Sequence, residues 1–322
     1  MENKPFVLAI VGATASGKTW LGVEMAKNFN GEVISADSMQ IYKGLDIASA
    51  KPTKEEMQGI PHHLIDFLDR DISFSVSDYV KLANEKIQEI LSRGKLPIIV
   101  GGTGLYIDSL LENIKFSEVK SDEKYREKLY EIARTQGNEV LYSKLLETDP
   151  KAAETIHMNN TVRVVRALEV FHVTGRLFSE LKAESRTEES PYNSLILGLN
   201  CSDRNVLYER INCRVDEMLR NGLVEEAKNI WEKGGLRTAG NAIGYKELIP
   251  FFEGNDTLEN CVDKIKQETR RYAKRQLTWF RRNDRIQWII FDDFGQKHQI
   301  YQKAEKTMVK YRNLWYNNSV YL

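Results

Sequence analysis

What this chain lacks narrows its identity first. Its 322 residues hold only three cysteines. They stand at 201, 213 and 261, without C-x-x-C spacing, which argues against a disulfide framework or a cysteine zinc site and for a reducing compartment. No apolar run approaches the roughly 18 residues of a membrane helix, so no membrane partner is expected. The apolar stretch Phe6–Val11 falls short of the ~7–15 residues of a secretory h-region, and cleavage beyond it would cut a glycine-rich loop. Net charge is formally zero, 46 Lys and Arg against 46 Asp and Glu. Bulk charge therefore announces no nucleic-acid partner, and any such surface has to be local.

What is present alternates buried strands with amphipathic helices. Phe6–Val11 reads as a strand and Lys18–Asn28 as the helix after it. Glu32–Asp37 is a second strand, and "HHLIDF" around Leu64 a third. Ser75–Leu91 carries apolar residues at helical spacing: Val76, Tyr79, Val80, Ala83, Ile87, Ile90 and Leu91. Ile98–Val100 is a further strand, ending in a glycine turn that opens a helix at Leu105. Such alternation predicts an α/β fold with a parallel sheet covered on both faces. From 117 to 191 the text turns polar, helical and strand-poor. This stretch is expected to be a helical insertion in a core made of 1–116 and 192–322. Ser194–Asn200 resumes the sheet, helices follow from Asp203 to Arg282, Ile286–Phe291 is a last strand, and a helix closes the chain.

The sharpest local signal is Gly12-Ala13-Thr14-Ala15-Ser16-Gly17-Lys18-Thr19, which matches the P-loop pattern G-x-x-x-x-G-K-[ST]. Its glycines let backbone N–H groups curl around phosphate oxygens, and the following helix adds its positive end. Lys18 would reach a terminal phosphate and the Thr19 hydroxyl would ligate Mg²⁺. Average residue usage puts a chance match in a chain of this length at roughly 1%, and the strand-then-helix setting lowers it further.

A P-loop says only polyphosphate. A kinase or ATPase would place an aspartate at the end of another hydrophobic strand, but "PIIV" ends in Gly101-Gly102-Thr103 with no acid. The acid stands earlier, at Asp37, where the second strand ends. Strand C-termini gather at one edge of a doubly wound sheet, so Asp37 and Thr103 should face the P-loop across one crevice. Turn or helix-cap roles account for both residues too. His62 and His63 have no third ligand at suitable spacing and read as structural.

One helix concentrates positive charge. Arg270–Arg285 carries a net +6. At 100° per residue Arg271, Lys274, Arg275, Arg281, Arg282 and Arg285 share a face, with Trp279 and Phe280 turned away. A solvated helix face is the bland explanation; against a neutral background the concentration favours RNA phosphate.

Together these residues resemble the tRNA dimethylallyltransferases, also called tRNA isopentenyltransferases. The segments that carry the resemblance are "GATASGKT" (Gly12–Thr19), "ISADSMQIYKGLDIASAKP" (Ile34–Pro52), "HHLID" (His62–Asp66) and "VGGTGLYI" (Val100–Ile107). "VRALEV" (Val165–Val170), "RVDEML" (Arg214–Leu219), "AIGYKE" (Ala242–Glu247) and "KRQLTWFR" (Lys274–Arg281) continue it. Val162 stands where the family often has a basic residue, and the zinc-finger extension of eukaryotic relatives is missing.

The resemblance implies transfer of a dimethylallyl group from dimethylallyl diphosphate to N6 of the adenosine 3′ of the anticodon. It implies Asp37 as the base, Thr103 at the target nucleotide, and Lys18 and Arg214 on the diphosphate with the P-loop and Mg²⁺. It further implies tRNA contacts from Asp37, Ser38, Met39, Gln40, Thr103, Arg126, Arg163 and Arg166. Ile243, Gly244, Tyr245, Lys246, Lys274, Arg275, Gln276, Trp279 and Arg281 complete that set. Met39, Tyr42 and Tyr106 either line a prenyl slot or pack the core. The expected partner is the tRNA anticodon stem-loop, and the expected enzyme a cytoplasmic monomer. A P-loop small-molecule kinase using ATP and Mg²⁺ is the alternative, with a nucleotide-gated binding module behind it.

Overall fold

The continuous apolar run FVLAIVG forms strand β1 (Phe6–Gly12), buried from Val7 onward. That is the signature of a central strand in a parallel sheet, where neither face meets water. The computed structural model describes residues 4–115, 121–185, 189–234 and 242–320. Beside β1 lie β2 (Gly31–Ala36), β3 (His62–His63), β4 (Leu96–Gly101), β5 (Asn193–Asn200) and β6 (Gln287–Ile290). They form one six-stranded sheet in the order β3-β2-β4-β1-β5-β6, and every pairing is parallel.

Helices supply the crossovers. Those of the first part of the chain are α1 (Lys18–Asn28), α2 (Lys54–Met57), α3 (Val76–Ser92) and α4 (Gly104–Leu111). Next come α5 (Glu123–Gln136), α6 (Asn138–Thr148), α7 (Pro150–Thr155), α8 (Thr161–Thr174) and α9 (Phe178–Glu184). The last are α10 (Arg204–Arg220), α11 (Leu223–Glu232), α12 (Ile249–Phe252), α13 (Leu258–Phe280) and α14 (Lys297–Val320).

The alternation of β1 side chains divides the core. Leu8 and Ile10 pack with Leu21 and Met25 of α1, Ile211 of α10 and Leu277 of α13. Val7, Ala9 and Val11 point the other way, onto Tyr79, Ala83 and Ile87 of α3 and Ile107 of α4. Each fully buried aliphatic side chain stabilises the fold by about 1.5–3 kcal/mol relative to exposure. α3 starts where it does because Ser75 and Asp78 close a capping box, each side chain accepting from the other residue's backbone N–H.

Contacts divide the chain into two units, Met1–Leu111 with Pro191–Leu322, and Glu112–Ser190. The second unit is all helix among its described residues and has its own core, including Leu129, Leu141, Leu145, Val164 and Leu168. Part of each stretch that bounds the expected insertion, 116–120 and 186–188, lies outside the described residues.

Two expectations need correction. The third strand is only two residues long, because Leu64 (φ 59°) and Asp66 (φ 55°) take left-handed backbone. The chain leaves the sheet there, and the Asp66 and Phe67 N–H groups donate instead to the carbonyls of Gln40 and Ile41. The basic helix also ends sooner than its charge pattern suggests. α13 stops at Phe280, and the N–H groups of Arg281, Arg282 and Asn283 turn back onto Leu277, Trp279 and Phe280. That turn delivers Ile286 to the core, so Arg282 and Arg285 do not share a helical face with Arg271, Lys274 and Arg275.

Candidate active site

The phosphate loop is shaped by its backbone. Gly12 has φ 146°, and a Cβ there would sit 2.5 Å from the Leu199 carbonyl oxygen, so only glycine fits. Ala15 (φ 61°) and Gly17 (φ 96°) are left-handed, a curl that aims successive N–H groups at one point. α1 begins at Lys18, placing a helix N-terminus behind the same point. Ser16 is buried, and its hydroxyl has no hydrogen-bond partner among the described residues.

Asp37 follows the last residue of β2, and Thr103 stands two residues beyond β4. These strands are neighbours, so their C-terminal ends meet. The Thr103 N–H donates to the Ala36 carbonyl (3.1 Å), and the Thr103 hydroxyl accepts from the Ser38 N–H (3.1 Å). One Asp37 oxygen, Oδ1, accepts from the N–H groups of Met39 (2.9 Å) and Gln40 (3.4 Å). The turn role and the site role therefore coexist, because Oδ2 remains for other chemistry.

The P-loop and Asp37 border a cavity of about 490 Å³, whose lining does not include Thr103. Thr14, Lys18, Thr19, Asp37 and Arg214 are among its polar lining residues. Ile211, Val215 and Met218 from α10, with Ile243 and Ile265, are among its apolar lining residues. Burial, with Arg214 nearby and Asp37 opposing, pushes the Lys18 ammonium down to about 7. Its Nζ donates to the Ala13 carbonyl at 2.6 Å. Burial also lowers Arg214. It raises the Asp37 carboxyl above its usual range, although the Met39 N–H and the Lys18 charge pull the other way. The site is thus a desolvated set of cations beside a carboxylate that holds its proton more readily than an ordinary aspartate.

The structure distributes the remaining expected residues unevenly. Ser38, Met39, Gln40, Ile243, Lys246 and Arg275 line the cavity. The Gln40 amide is already engaged, accepting from Ser35 and donating to the Ser49 and Ala50 carbonyls. Gly244 donates its N–H to Glu247 (2.8 Å). Tyr245 is buried and donates to Glu226 at 2.6 Å. Gln276, also a cavity wall, bridges two loops: its Oε1 accepts from the Thr14 N–H (2.8 Å) and its Nε2 donates to the Gly102 carbonyl (3.0 Å). A Cβ on Gly102 would lie 2.0 Å from that Nε2, so glycine is needed for the approach. Trp279 is half-buried and donates to Asp108 (2.6 Å). Lys274, Arg275 and Arg281 are exposed.

Arg126, Arg163 and Arg166 belong to the helical unit, Arg126 on α5 and the others on α8. Tyr42 and Tyr106 are buried in the core, the latter stacked on Tyr79 at 4.2 Å. Of the three prenyl-slot candidates only Met39 borders the cavity. His63 contacts Glu32 (2.7 Å), and His62 donates to the Ile60 carbonyl (2.8 Å).

Sequence reasoning missed Tyr272. It lines the cavity on α13 beside Asp37 and Thr103, and its hydroxyl is held well above the usual range by burial and by Asp37. The signal was spacing: Ile265, Glu268, Thr269, Tyr272 and Gln276 recur at helical intervals and all face the cavity.

Comparisons with known proteins identify the family. The profile of the IPP transferase family matches residues 40–283, beyond the P-loop. The tRNA dimethylallyltransferase of Thermoanaerobacter sp. (strain X514) is 50% identical over 308 residues, covering 95% of this chain and 96% of the relative. That of Bacillus subtilis (strain 168) is 51% identical over 291 residues, covering 89% and 91%. The crystal structure of the full-length tRNA isopentenylpyrophosphate transferase from Bacillus halodurans superposes with TM-score 0.73 at 43% identity, over 98% of this chain and 99% of that one. A eukaryotic dimethylallyltransferase captured acting on tRNA has TM-score 0.73 at 33% identity, covering 86% of this chain and 70% of its own.

Proposed function

The chain belongs to the IPP transferase family, and from that premise we propose that it transfers a dimethylallyl group from dimethylallyl diphosphate to tRNA. The acceptor is N6 of the adenosine adjacent to the anticodon on its 3′ side, and the products are N6-(dimethylallyl)adenosine and diphosphate. The observation that carries this reading is the pairing, in the lining of one cavity, of P-loop residues with the acid just past β2 and with apolar side chains. A carboxylate within reach of phosphate and of an apolar pocket suits attack at an allylic carbon.

The P-loop N–H groups, Lys18 and Arg214 bind the diphosphate and stabilise the charge it gathers on leaving. The Ser16 hydroxyl, buried without a partner among the described residues, suits the same oxygens. The N6 lone pair is delocalised into the adenine ring, which makes it a poor nucleophile. Asp37 accepts its proton as the N6–C1 bond forms and the C1–O bond breaks, a contribution of about 10²–10⁴-fold. Thr103, fixed between Ala36 and Ser38, holds the target nucleotide. Mg²⁺ fits the donor set: the Thr19 hydroxyl borders the cavity beside Lys18, and such an ion takes its remaining ligands from diphosphate and water. When bound it would neutralise part of the leaving charge.

A stacked loop base cannot enter a cavity unless it is taken out of the stack. We assign the grip on the anticodon arm to Lys274, Arg275 and Arg281 of the core and to Arg126, Arg163 and Arg166 of the helical unit. No helix among the described residues is long and apolar enough to cross a membrane. The reading takes the enzyme as a cytoplasmic monomer. Incubation with labelled dimethylallyl diphosphate and unmodified tRNA, followed by nucleoside analysis, should place the label in N6-(dimethylallyl)adenosine. Label transfer from ATP instead would establish the kinase reading.

A further inference from the structure

The apolar lining of the cavity has a support of its own. Ala48, Val215, Met218, Ala242, Ile243 and Ile265 all line the cavity, and all belong to or pack against one core cluster. The P-loop residues Ala13 and Ala15 pack in a different cluster, around Leu21. A prenyl chain, being apolar, suits the first setting, and a diphosphate suits the phosphate loop.

Two chain segments supply part of that apolar lining. One is the turn 46–50, where the N–H groups of Ala50 and Lys51 donate back to the carbonyls of Ile47 and Asp46, both at 2.9 Å. The other carries Ala242 and Ile243 and runs on to Tyr245. The two abut closely. Gly244 has φ 103°, and a Cβ there would sit 2.9 Å from the Ala48 Cβ.

Glu226, in the first turn of α11, holds both segments. Its carboxylate accepts from three successive N–H groups of the turn. Oε2 takes that of Asp46 (3.0 Å), both oxygens share that of Ile47 (3.0 Å each), and Oε1 takes that of Ala48 (3.3 Å). Successive N–H groups arranged in this way form a concavity for an anion, and the chain fills it with its own carboxylate. Oε1 also accepts from the Tyr245 hydroxyl at 2.6 Å, which ties in the second segment. Helix packing does not call for this group, because Leu223, Ala227 and Ile230 already bury α11 in the same cluster. Both oxygens serve as acceptors, and a glutamine would turn one of them into an NH2 group facing backbone N–H donors.

We propose that Glu226 is a positioning residue that clamps the turn 46–50 to the Tyr245 segment, fixes the prenyl-binding part of the cavity and so limits the length of chain the site accepts. The proposal rests on the prenyl-transfer reading above, and the experiment separates the two. Transfer to an unmodified anticodon stem-loop is measured with dimethylallyl diphosphate and with its ten-carbon homologue, geranyl diphosphate. The proteins are wild type, Glu226→Gln, Tyr245→Phe and the double variant. Donor preference is read as a ratio of kcat/KM or, where the longer donor does not react, from its inhibition constant. Calorimetry gives the affinity of each protein for inorganic diphosphate.

Glu226→Gln should raise KM for dimethylallyl diphosphate and cut the preference for it over geranyl diphosphate by about tenfold, the lower end of what one methylene decides in an apolar pocket. Affinity for inorganic diphosphate should stay at the wild-type value. Tyr245→Phe should move the preference in the same direction by less, and should add less in the double variant than alone, because both residues act through one clamp. A loss of inorganic diphosphate affinity equal to the rise in KM would make Glu226 merely structural and overturn the proposal. So would an unchanged donor preference in Glu226→Gln, or fully additive effects of the two substitutions. Absent label transfer by wild type with either donor would instead overturn the reading beneath it. Should Glu226→Gln not fold, Tyr245→Phe leaves the carboxylate on the turn and carries the same comparison, and an unchanged preference there would overturn the proposal.

Discussion

Strand β2 offers two carboxylates five positions apart that behave in opposite ways. Glu32, near its start, meets His63 at 2.7 Å, Arg93 at 2.6 Å and Lys95 at 2.8 Å. Burial acts to raise its pKa, but those partners win and hold it at about 2. Asp37, just past the strand's end, has two cations nearby, yet none within ion-pair distance among the described residues. Its pKa is raised. The lesson is that pairing satisfies one acid and leaves it inert, whereas desolvation without pairing leaves the other able to take a proton. The two ends of a parallel sheet differ in the same sense, because ligands gather at the strands' C-terminal edge.

The largest expected effect belongs to Asp37. Asp37→Ala should lower kcat by about 10²–10⁴-fold while dimethylallyl diphosphate still binds, and wild-type turnover in that variant would end its assignment as the base. A charge that burial disfavours also opposes folding at neutral pH. Asp37→Asn should therefore hold or raise Tm even as it inactivates, the trade expected of a functional group.

Lys18 comes next. Lys18→Ala should weaken diphosphate binding roughly 10- to 100-fold, as befits lost charge-assisted hydrogen bonds, and leave tRNA affinity in place. Its lowered pKa, about 7, gives a further consequence. Above that pH the free site holds a largely neutral lysine, and bound diphosphate favours the ammonium. Binding at pH 8 should therefore take up as much as one proton, fading as pH falls below 7. Calorimetry of inorganic diphosphate in two buffers of different ionisation heat reads this directly, and zero uptake would place the Lys18 pKa elsewhere.

Glu32 should show the converse. Glu32→Gln should reduce stability by about 1–3 kcal/mol, less than a fully buried pair because Arg93 and Lys95 are partly exposed. Turnover per folded molecule should not change. Because the folded pKa lies below the unfolded one, Glu32's stabilisation is present above pH 4.5 and is lost as pH falls towards 2. Denaturant unfolding of both proteins at pH 7 and pH 3 should show the difference narrowing in acid.

Much of this was legible in the sequence. The P-loop is explicit in the sequence, and the rule that strand C-termini share an edge puts Asp37 on the same cavity, while Thr103 meets the Ser38 N–H without lining it. Side-chain direction was harder to read. Gln276 and Trp279 sit among basic residues in "KRQLTWFR", yet their polar groups are bonded within the core unit. Tyr245 reads as part of an RNA-contacting segment and lies buried on Glu226. Neither periodicity nor charge reveals that a polar side chain turns inward to hold a backbone. Glu32 was passed over because its partners, His63, Arg93 and Lys95, arrive from distant parts of the chain.

The smallest effect tests the exposed rim. Arg275→Ala/Arg281→Ala should weaken tRNA binding a few-fold and flatten its salt slope by between one and two units, without touching diphosphate affinity. Parallel salt plots would reduce these two residues to a solvated surface.

The contrast along β2 can be read most directly by following the side-chain carboxyl carbons of ¹³C-labelled protein through a pH titration, with Asp37→Asn and Glu32→Gln to assign the signals. The account predicts that Asp37 titrates above the ordinary aspartate value and Glu32 near 2. An Asp37 signal that titrates at or below that of Glu32 would contradict it.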